Sequence, residues 1–450
     1  MAEFLLQEVL TATGGNASGD KMTKFSSIST DTRLLQPGSL FIALSGEHFD
    51  GHNYLNTAAE NGAVGVIVSR RDIAVPAGVI VIVVADTRRA LQDLARFHRQ
   101  RFSGPVIAIT GSNGKTTTKD MTAAVLSSQL STLKTQANFN NEIGLPLTLL
   151  RLDQSHQVAV VEMGMRGKGE IQELAAIALP TIGVVTTVGE THIELLGSVE
   201  NIAAAKAELV EAIPEYGTVI LNGDNPLVRA MAKKTPAKIV FYGMVDAEVT
   251  AKAIIQTETG MSFDCCWPDQ SFRVDLATFG RHNIYNALAA IAVGRELGLT
   301  PTEICHGIAS FVPDGMRLQV QAIGQYRVIN DAYNASPLSM AASIEALKDI
   351  AAGRTVAVLG DMLELGDFAV EAHRKIGEKL AAQRIDLVIT VGNLSRNIAQ
   401  AAMEAGLHVE ACDNHEAARQ MLKKFLRAGD TVLLKGSRGM KMEQLLDVFA

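Results

Sequence analysis

Short, nearly uninterrupted apolar runs punctuate the chain, separated by longer stretches in which apolar residues return every three or four positions. Val106 to Thr110, Val158 to Val161, Ile182 to Val185, Thr355 to Leu359, Leu387 to Val391 and Thr431 to Leu434 are the clearest runs. Continuous runs of four to six β-branched and aliphatic residues predict strands buried on both faces, as in a parallel sheet covered by helices. The stretches between them predict those helices. Thr87 to Arg101 places Leu91, Leu94, Ala95 and His98 on one face. Gly280 begins another helix, whose apolar face continues to Leu297. Between them, Ala251 to Leu276 alternates in short segments around Trp267 and Pro268, the signature of antiparallel strands at a sheet edge. The expected class is α/β, divided into a small N-terminal α/β domain (1–84), a central domain with a parallel sheet (85–312) and a second open α/β domain (313–450).

Length agrees with this division, since 450 residues exceed what one hydrophobic core usually supports. Hydrophobic residues make up 47% and charged residues 20%, as in a globular protein, and no run of eighteen apolar residues occurs. The N-terminus has no basic segment leading into an apolar one, so a cytoplasmic location is expected. The four cysteines, two of them adjacent at Cys265 and Cys266, form neither a disulfide framework nor a C-x-x-C metal motif, and read as reduced core residues. A net charge of −7 argues against a general nucleic-acid or membrane binder. Any anionic substrate must be met by local cations and helix N-termini.

The strongest local chemistry follows the run ending at Thr110. Gly111, Ser112, Asn113, Gly114, Lys115, Thr116 and Thr117 form a phosphate cradle between a strand and a helix. Its glycines allow a tight turn and its backbone N–H groups favour a polyphosphate; Lys115 would reach the terminal phosphates and Thr116 would hold Mg²⁺. ATP or GTP is the ligand this predicts. The loop departs from the full P-loop pattern in having Ile109 where the first glycine belongs. Glu162 ends the next strand, where open α/β sheets place ligand-binding groups, and its carboxylate can bind the metal that Thr116 touches. The glycines from Gly164 to Gly169 have the wrong spacing for a dinucleotide fingerprint.

Other polar clusters are ambiguous from the residues alone. Ser198 can cap the helix that carries Lys206, and that lysine reads as a solvated helix residue. His192 reads as a loop or core histidine, and Asp31 with Arg33 as a surface pair. Asn283 and Asn286 share one helical face, as caps or as partners of a purine edge. Asp331 to Asn334, Gly360 to Glu364 and Lys435 to Arg438 stand at strand ends of the last domain, where they can face another domain across a cleft.

Taken in order, T-G-S-N-G-K-T-T, Glu162, His192, Lys206 in A-A-A-K-A-E, G-R-H-N-I-Y-N-A and D-A-Y-N-A-S-P resemble the Mur ligase family of ATP-dependent amide-forming enzymes over essentially the whole chain. D-T-R, P-G-S-L-F-I-A-L-S-G-E-H-F-D-G-H, A-N-F-N-N-E-I-G, L-G-D-M-L-E-L-G and L-K-G-S-R point within it to the branch that adds D-alanyl-D-alanine to UDP-N-acetylmuramoyl-tripeptide. The resemblance implies a UDP-binding N-terminal domain, a central P-loop ATPase-type domain and a C-terminal Rossmann-like domain. It implies ATP and Mg²⁺ as cofactors; a monomer with no nucleic-acid partner and no membrane insertion is the expectation for the chain. By the same resemblance Asp31, Thr32 and Arg33 meet the uridine nucleotide, and Asn138, Asn140 and Asn141 line the muramoyl side. His282 and Asn283 touch adenine, Arg317 and Asp331 close over the nucleotide, and Asn334, Lys435, Ser437 and Arg438 serve the incoming amine. Lys115, Glu162, His192 and Lys206 are the implied catalytic set. Lys206, as a carbamate, joins Thr116, Glu162 and His192 as the implied metal ligands. The alternatives are another amino-acid-adding or folylpolyglutamate-type ligase of that family, or a P-loop switch that hydrolyses ATP and acts through a partner.

Overall fold

The computed structural model describes residues 2–70, 72–313 and 315–449. Three sheets organise it. The N-terminal part has a four-stranded parallel sheet in the order Ser27–Ser29, Ser39–Ile42, Ala63–Val68, Ile80–Val83. The central sheet has nine strands. From one border it runs Thr132–Lys134, Val158–Glu162, Val106–Thr110, Ile182–Val185, Thr218–Asn222, Lys238–Gly243 and Val249–Gln256, all parallel. Met261–Cys266 and Ser271–Leu276 complete it antiparallel, at the place where alternation replaces continuous apolarity in the sequence. The C-terminal sheet has six strands in the order Gln319–Ile323, Tyr326–Asn330, Thr431–Lys435, Thr355–Gly360, Leu387–Val391, Val409–Cys412, parallel except for the first pair.

The uninterrupted apolarity of Val106–Thr110 follows from its position in the middle of the central sheet. Val106 and Ala108 face one core with Leu91, Leu94, Ile171 and Leu209, contributed by the helices Thr87–Gln100, Glu170–Ala178 and Val199–Ala212. Ile107 and Ile109 face the opposite core, with Met121, Val125, Ile284 and Leu288 from Lys115–Ser127 and Arg281–Glu296. Each such fully buried aliphatic side chain contributes about 1.5–3 kcal/mol. The strand is therefore locked from both sides, and its C-terminal end becomes a fixed platform.

Asp86 caps the helix Thr87–Gln100 by accepting from the backbone N–H groups of Arg88 and Arg89 at 2.8 and 3.1 Å. Ser198 caps Val199–Ala212 through the Asn201 N–H at 3.1 Å. Glu208, on that second helix, accepts from the N–H groups of Gly169 and Gln172 at 2.7 and 3.1 Å, so one helix caps the N-terminus of its neighbour Glu170–Ala178. The helix Pro301–Ser310 lies against the border strand Ser271–Leu276, where the Cys305 thiol donates to the Arg273 carbonyl at 3.3 Å. Cys265 and Cys412 are buried, Cys266 and Cys305 half-buried, and all four are free thiols. Among the described residues no helix is long and apolar enough to cross a membrane.

Candidate active site

The strand Val106–Thr110 delivers its chain to a turn that only glycine fits. Gly111 has φ +150°, and a Cβ on it would lie 1.9 Å from Thr186 Oγ1; Gly114 has φ +83°, and a Cβ there would lie 2.5 Å from Asn286 Oδ1. The turn is stitched to the end of the neighbouring strand. The Ser112 N–H donates to the Thr187 carbonyl at 2.7 Å, Ser112 Oγ donates to the Gly189 carbonyl at 3.0 Å, and Thr186 Oγ1 donates to the Asn113 carbonyl at 2.6 Å. Lys115 opens the following helix, and its ammonium donates to the Gly111 carbonyl at 2.7 Å. Burial lowers its pKa.

Asn283 and Asn286 brace this loop rather than cap their own helix. Thr118 Oγ1 donates to Asn286 Oδ1 at 3.1 Å, Asn286 Nδ2 to Asn283 Oδ1 at 2.9 Å, and Asn283 Nδ2 to the Phe279 carbonyl at 2.8 Å. Neighbouring His282 is half-buried, and desolvation lowers its pKa.

Opposite the loop stand Glu162, Lys206 and His192. Glu162 is buried at its strand end; Oε1 accepts from Asn140 Nδ2 at 2.7 Å, while Oε2 is buried without a partner among the described residues. Lys206 corrects the reading from residues alone. It is 2% exposed, on a helix packed against the sheet beside Glu170–Ala178, and has no anionic partner among the described residues. Burial first, and the charge of Lys115 second, push its pKa well below the usual lysine range. His192 has left-handed backbone, φ +62°, and its Nδ1 lies 2.8 Å from Glu364 Oε2 of the C-terminal domain. Its pKa is lowered, chiefly by burial and despite the carboxylate.

The C-terminal domain closes the other wall. Arg317 lies over the Tyr333 ring, 4.0 Å from its centre, and donates to Thr116 Oγ1 at 3.1 Å. Asp331 accepts from the Leu318 N–H at 3.0 Å, Ser343 Oγ at 2.5 Å and Lys435 Nζ at 2.6 Å, and Lys435 also donates to the Asn334 carbonyl at 3.0 Å. Ser336 Oγ donates to Asn113 Oδ1 at 3.0 Å, joining the C-terminal domain to the phosphate loop.

These groups border one cavity of 1140 Å³. It brings together Ser112 to Thr117, Asn138, Asn140, Asn141, Glu162, His192, Lys206, His282, Asn283, Arg317, Asp331, Asn334 and Lys435. Gly111 sits behind it, against Thr186. Ser437 and Arg438 turn away from its lining: Ser437 Oγ accepts from the Leu363 N–H at 2.9 Å, and Arg438 pairs with Glu443 at 2.8 Å. Asp31, Thr32 and Arg33 also lie outside it, on the N-terminal domain. There Asp31 and Arg33 form an exposed pair with Nη2 2.6 Å from Oδ2, which lowers the Asp31 pKa, and the Thr32 carbonyl accepts from Asn61 Nδ2 at 2.9 Å.

Sequence reasoning missed several groups at the cavity. Asp224 accepts from the Met244 N–H at 2.5 Å and from the Tyr285 hydroxyl at 2.9 Å, which, after burial, raises the Tyr285 pKa. Arg281 and Ser336 also line it. Asp224 follows the strand Thr218–Asn222, so strand-end position was the signal available for it.

The donor set fits a divalent cation only in part as amino acids. Among the described residues no three His, Cys, Asp or Glu side chains gather. Two such groups, Glu162 and His192, share the cavity with Lys206, and Glu162 keeps a buried oxygen unused. A carbamate on Lys206 would supply the missing anionic oxygens, which suit Mg²⁺.

Comparison with known proteins gives three family matches in chain order. Residues 24–99 match the Mur ligase family, catalytic domain; residues 109–294 the Mur ligase middle domain; and residues 316–438 the Mur ligase, glutamate ligase domain. The chain is 40% identical to the UDP-N-acetylmuramoyl-tripeptide–D-alanyl-D-alanine ligase of Bacillus subtilis (strain 168), over 95% of this chain and 93% of that one. It is 36% identical to the protein of the same name from Escherichia coli (strain K12), over 99% and 98%. Among solved structures it resembles crystal structure I of MurF from Acinetobacter baumannii, with TM-score 0.92, 32% identity and coverage of 100% and 99%. It also resembles MurF ligase from Thermotoga maritima in complex with ADP, with TM-score 0.83, 28% identity and coverage of 94% and 96%.

Proposed function

The chain belongs to the Mur ligase family, and from that membership we propose that it joins D-alanyl-D-alanine to UDP-N-acetylmuramoyl-tripeptide at the expense of ATP, in the cytoplasmic part of peptidoglycan synthesis. The observation that carries this reading is the shared cavity, where a phosphate loop, a buried Glu162 and Lys206, and the Arg317 and Asp331 groups of a second domain meet.

The tripeptide carboxylate attacks the γ-phosphorus of ATP, forming an acyl phosphate and releasing ADP. The amine of D-alanyl-D-alanine then attacks the acyl carbon, phosphate leaves, and the amine gives up a proton as the amide forms. Lys115, half-buried at the mouth of the loop, neutralises charge on the transferring phosphoryl oxygens. Arg317 sits beside Thr116, where it adds a second cation from the opposite wall. Mg²⁺, when bound, supplies charge neutralisation for the polyphosphate and the acyl phosphate; Thr116, Glu162, His192 and carbamylated Lys206 would hold it. Burial prepares Lys206 for that modification, because it favours the neutral amine that adds CO₂ and loses a proton to become a carbamate. His282 and Asn283 border the adenine, and Asn138, Asn140 and Asn141 border the muramoyl peptide. Asp31, Thr32 and the exposed Arg33 serve the uridine end. Water is excluded by the two walls closing on one cavity, which protects the acyl phosphate from hydrolysis.

The test is a phosphate-release assay on the purified chain. Release should require ATP, UDP-N-acetylmuramoyl-tripeptide and D-alanyl-D-alanine together, with the pentapeptide as coupled product. Steady ATP turnover without carboxylate or amine would overturn the reading in favour of a switch.

A further inference from the structure

The loop carrying His192 is gripped from across the domain seam at three points. A Cβ on Gly189 would come 2.2 Å from Leu338 Cδ1, and a Cβ on Gly366 would come 3.0 Å from Glu194 Cγ. Between these two close approaches, His192 Nδ1 stands 2.8 Å from Glu364 Oε2. Both partners occupy left-handed backbone, at φ +62° and φ +63°. For a residue with a Cβ that conformation is strained, so two such residues facing each other mark a constrained contact. Glu364 has no other ion-pair or hydrogen-bond partner among the described residues. The Nδ1 hydrogen does not lie along the contact, so the pairing is electrostatic rather than a straight hydrogen bond.

An imidazole can ligate a metal through one nitrogen only if that nitrogen offers a lone pair, which requires the proton to stay on the other. The carboxylate selects the nitrogen that keeps it. With Nδ1 facing Glu364, Nε2 is the atom left for the cavity that His192 borders. We propose that Glu364 is a positioning residue: docked on His192 from the C-terminal domain, it holds the histidine in the tautomer and orientation that a metal in the cavity needs. The proposal rests on the reading of His192 as a metal-facing group given above. Its consequence is an order of events. The metal site is complete only while the domain that delivers the amine is in contact, so the acyl phosphate is made with its acceptor domain in place.

The experiment uses the full chain and Mn²⁺, titrated by electron paramagnetic resonance in the presence of a non-hydrolysable ATP analogue. Glu364→Ala should weaken Mn²⁺ binding about 10-fold or more, the usual effect of losing a carboxylate behind a ligating histidine. Glu364→Gln should recover only part of that affinity, because its neutral amide oxygen keeps the place of the carboxylate without its charge. In a His192→Ala background, Glu364→Ala should add almost nothing. In the metal-free chain, ¹⁵N spectra of His192 should show the Nδ1–H form in the parent and a shift toward a tautomer mixture in Glu364→Ala. Unchanged Mn²⁺ binding in Glu364→Ala, an equal loss in both backgrounds, or an unchanged His192 tautomer would each overturn the proposal. If His192→Ala alone leaves Mn²⁺ binding intact, the metal reading of His192 falls first, and the role of Glu364 falls with it.

Discussion

Replacing Gly114 with alanine tests whether the phosphate loop is held by its brace or merely by its own turn. Two costs are separable in the structure. The backbone at φ +83° penalises any Cβ by about 1–2 kcal/mol. The Cβ would also sit 2.5 Å from Asn286 Oδ1, pushing that amide out of its bonds to Thr118 and Asn283. Each of those bonds contributes about 0.5–1.5 kcal/mol net, so the full loss for Gly114→Ala is about 2–5 kcal/mol. At roughly 2–4 °C per kcal/mol for a domain of this size, calorimetry should show the central transition about 4–20 °C lower. In an Asn286→Ala background the amide is already gone, and the same substitution should cost only the backbone part, about 1–2 kcal/mol. ATP-analogue affinity should fall alongside stability in the single variant, because the displaced loop carries Lys115. Equal destabilisation in both backgrounds would refute the brace, leaving the turn to account for the whole effect.

Three further outcomes follow from the same geometry. Lys115→Ala should lower ligation by about 10²-fold or more while circular dichroism stays that of the parent, since it removes one charge-stabilising donor; near-parental turnover would exclude Lys115 from phosphoryl transfer. Lys206→Ala and Lys206→Arg should both lose most activity, with short carboxylic acids partly restoring the alanine variant alone; parental rates in both at saturating Mg²⁺ would return Lys206 to a packing role. His373 is fully buried, with Nδ1 2.6 Å from the Ala369 carbonyl and Nε2 accepting from the Met362 N–H at 3.0 Å, and burial lowers its pKa. Its contribution is therefore whole above its unfolded pKa of about 6.5 and is lost as pH falls below that value. Urea midpoints should drop from pH 7 to pH 5 more steeply in the parent than in His373→Asn, and an identical slope in the two would dismiss the effect.

The phosphate loop and Glu162 were legible because their signals are local. A continuous apolar strand, a glycine turn and a lysine fall within a dozen residues, and a carboxylate at the next strand end needs only the strand to be recognised. Lys206 was not legible, because its burial depends on what packs against an alanine-rich helix from outside, and a lysine in such a helix is solvated by default. The seam was harder still: Ser336 reaches Asn113 from 223 positions away, and Glu364 meets His192 through two left-handed residues that no periodicity marks. The strands Thr218–Asn222 and Lys238–Gly243 also escaped a reading keyed to the longest apolar runs. Motif order supplied through family resemblance what periodicity lacked, naming Lys206 and His192 without explaining their surroundings.

The borders of the central sheet bear on how this chain behaves in a crowded solution. A sheet of nine strands ends in two rows of backbone groups that could pair with another molecule and seed aggregation. One border, Thr132–Lys134, is only three residues long and ends on a lysine held 2.7 Å from Asp120. The other, Ser271–Leu276, carries Arg273 and Asp275 along its length, and the thiol of Cys305 occupies the Arg273 carbonyl. A tenth strand on either side would have to strip charge or displace a packed helix before it could add. The enzyme can thus keep a wide parallel platform for its loop without offering that platform's rim as a template for self-association.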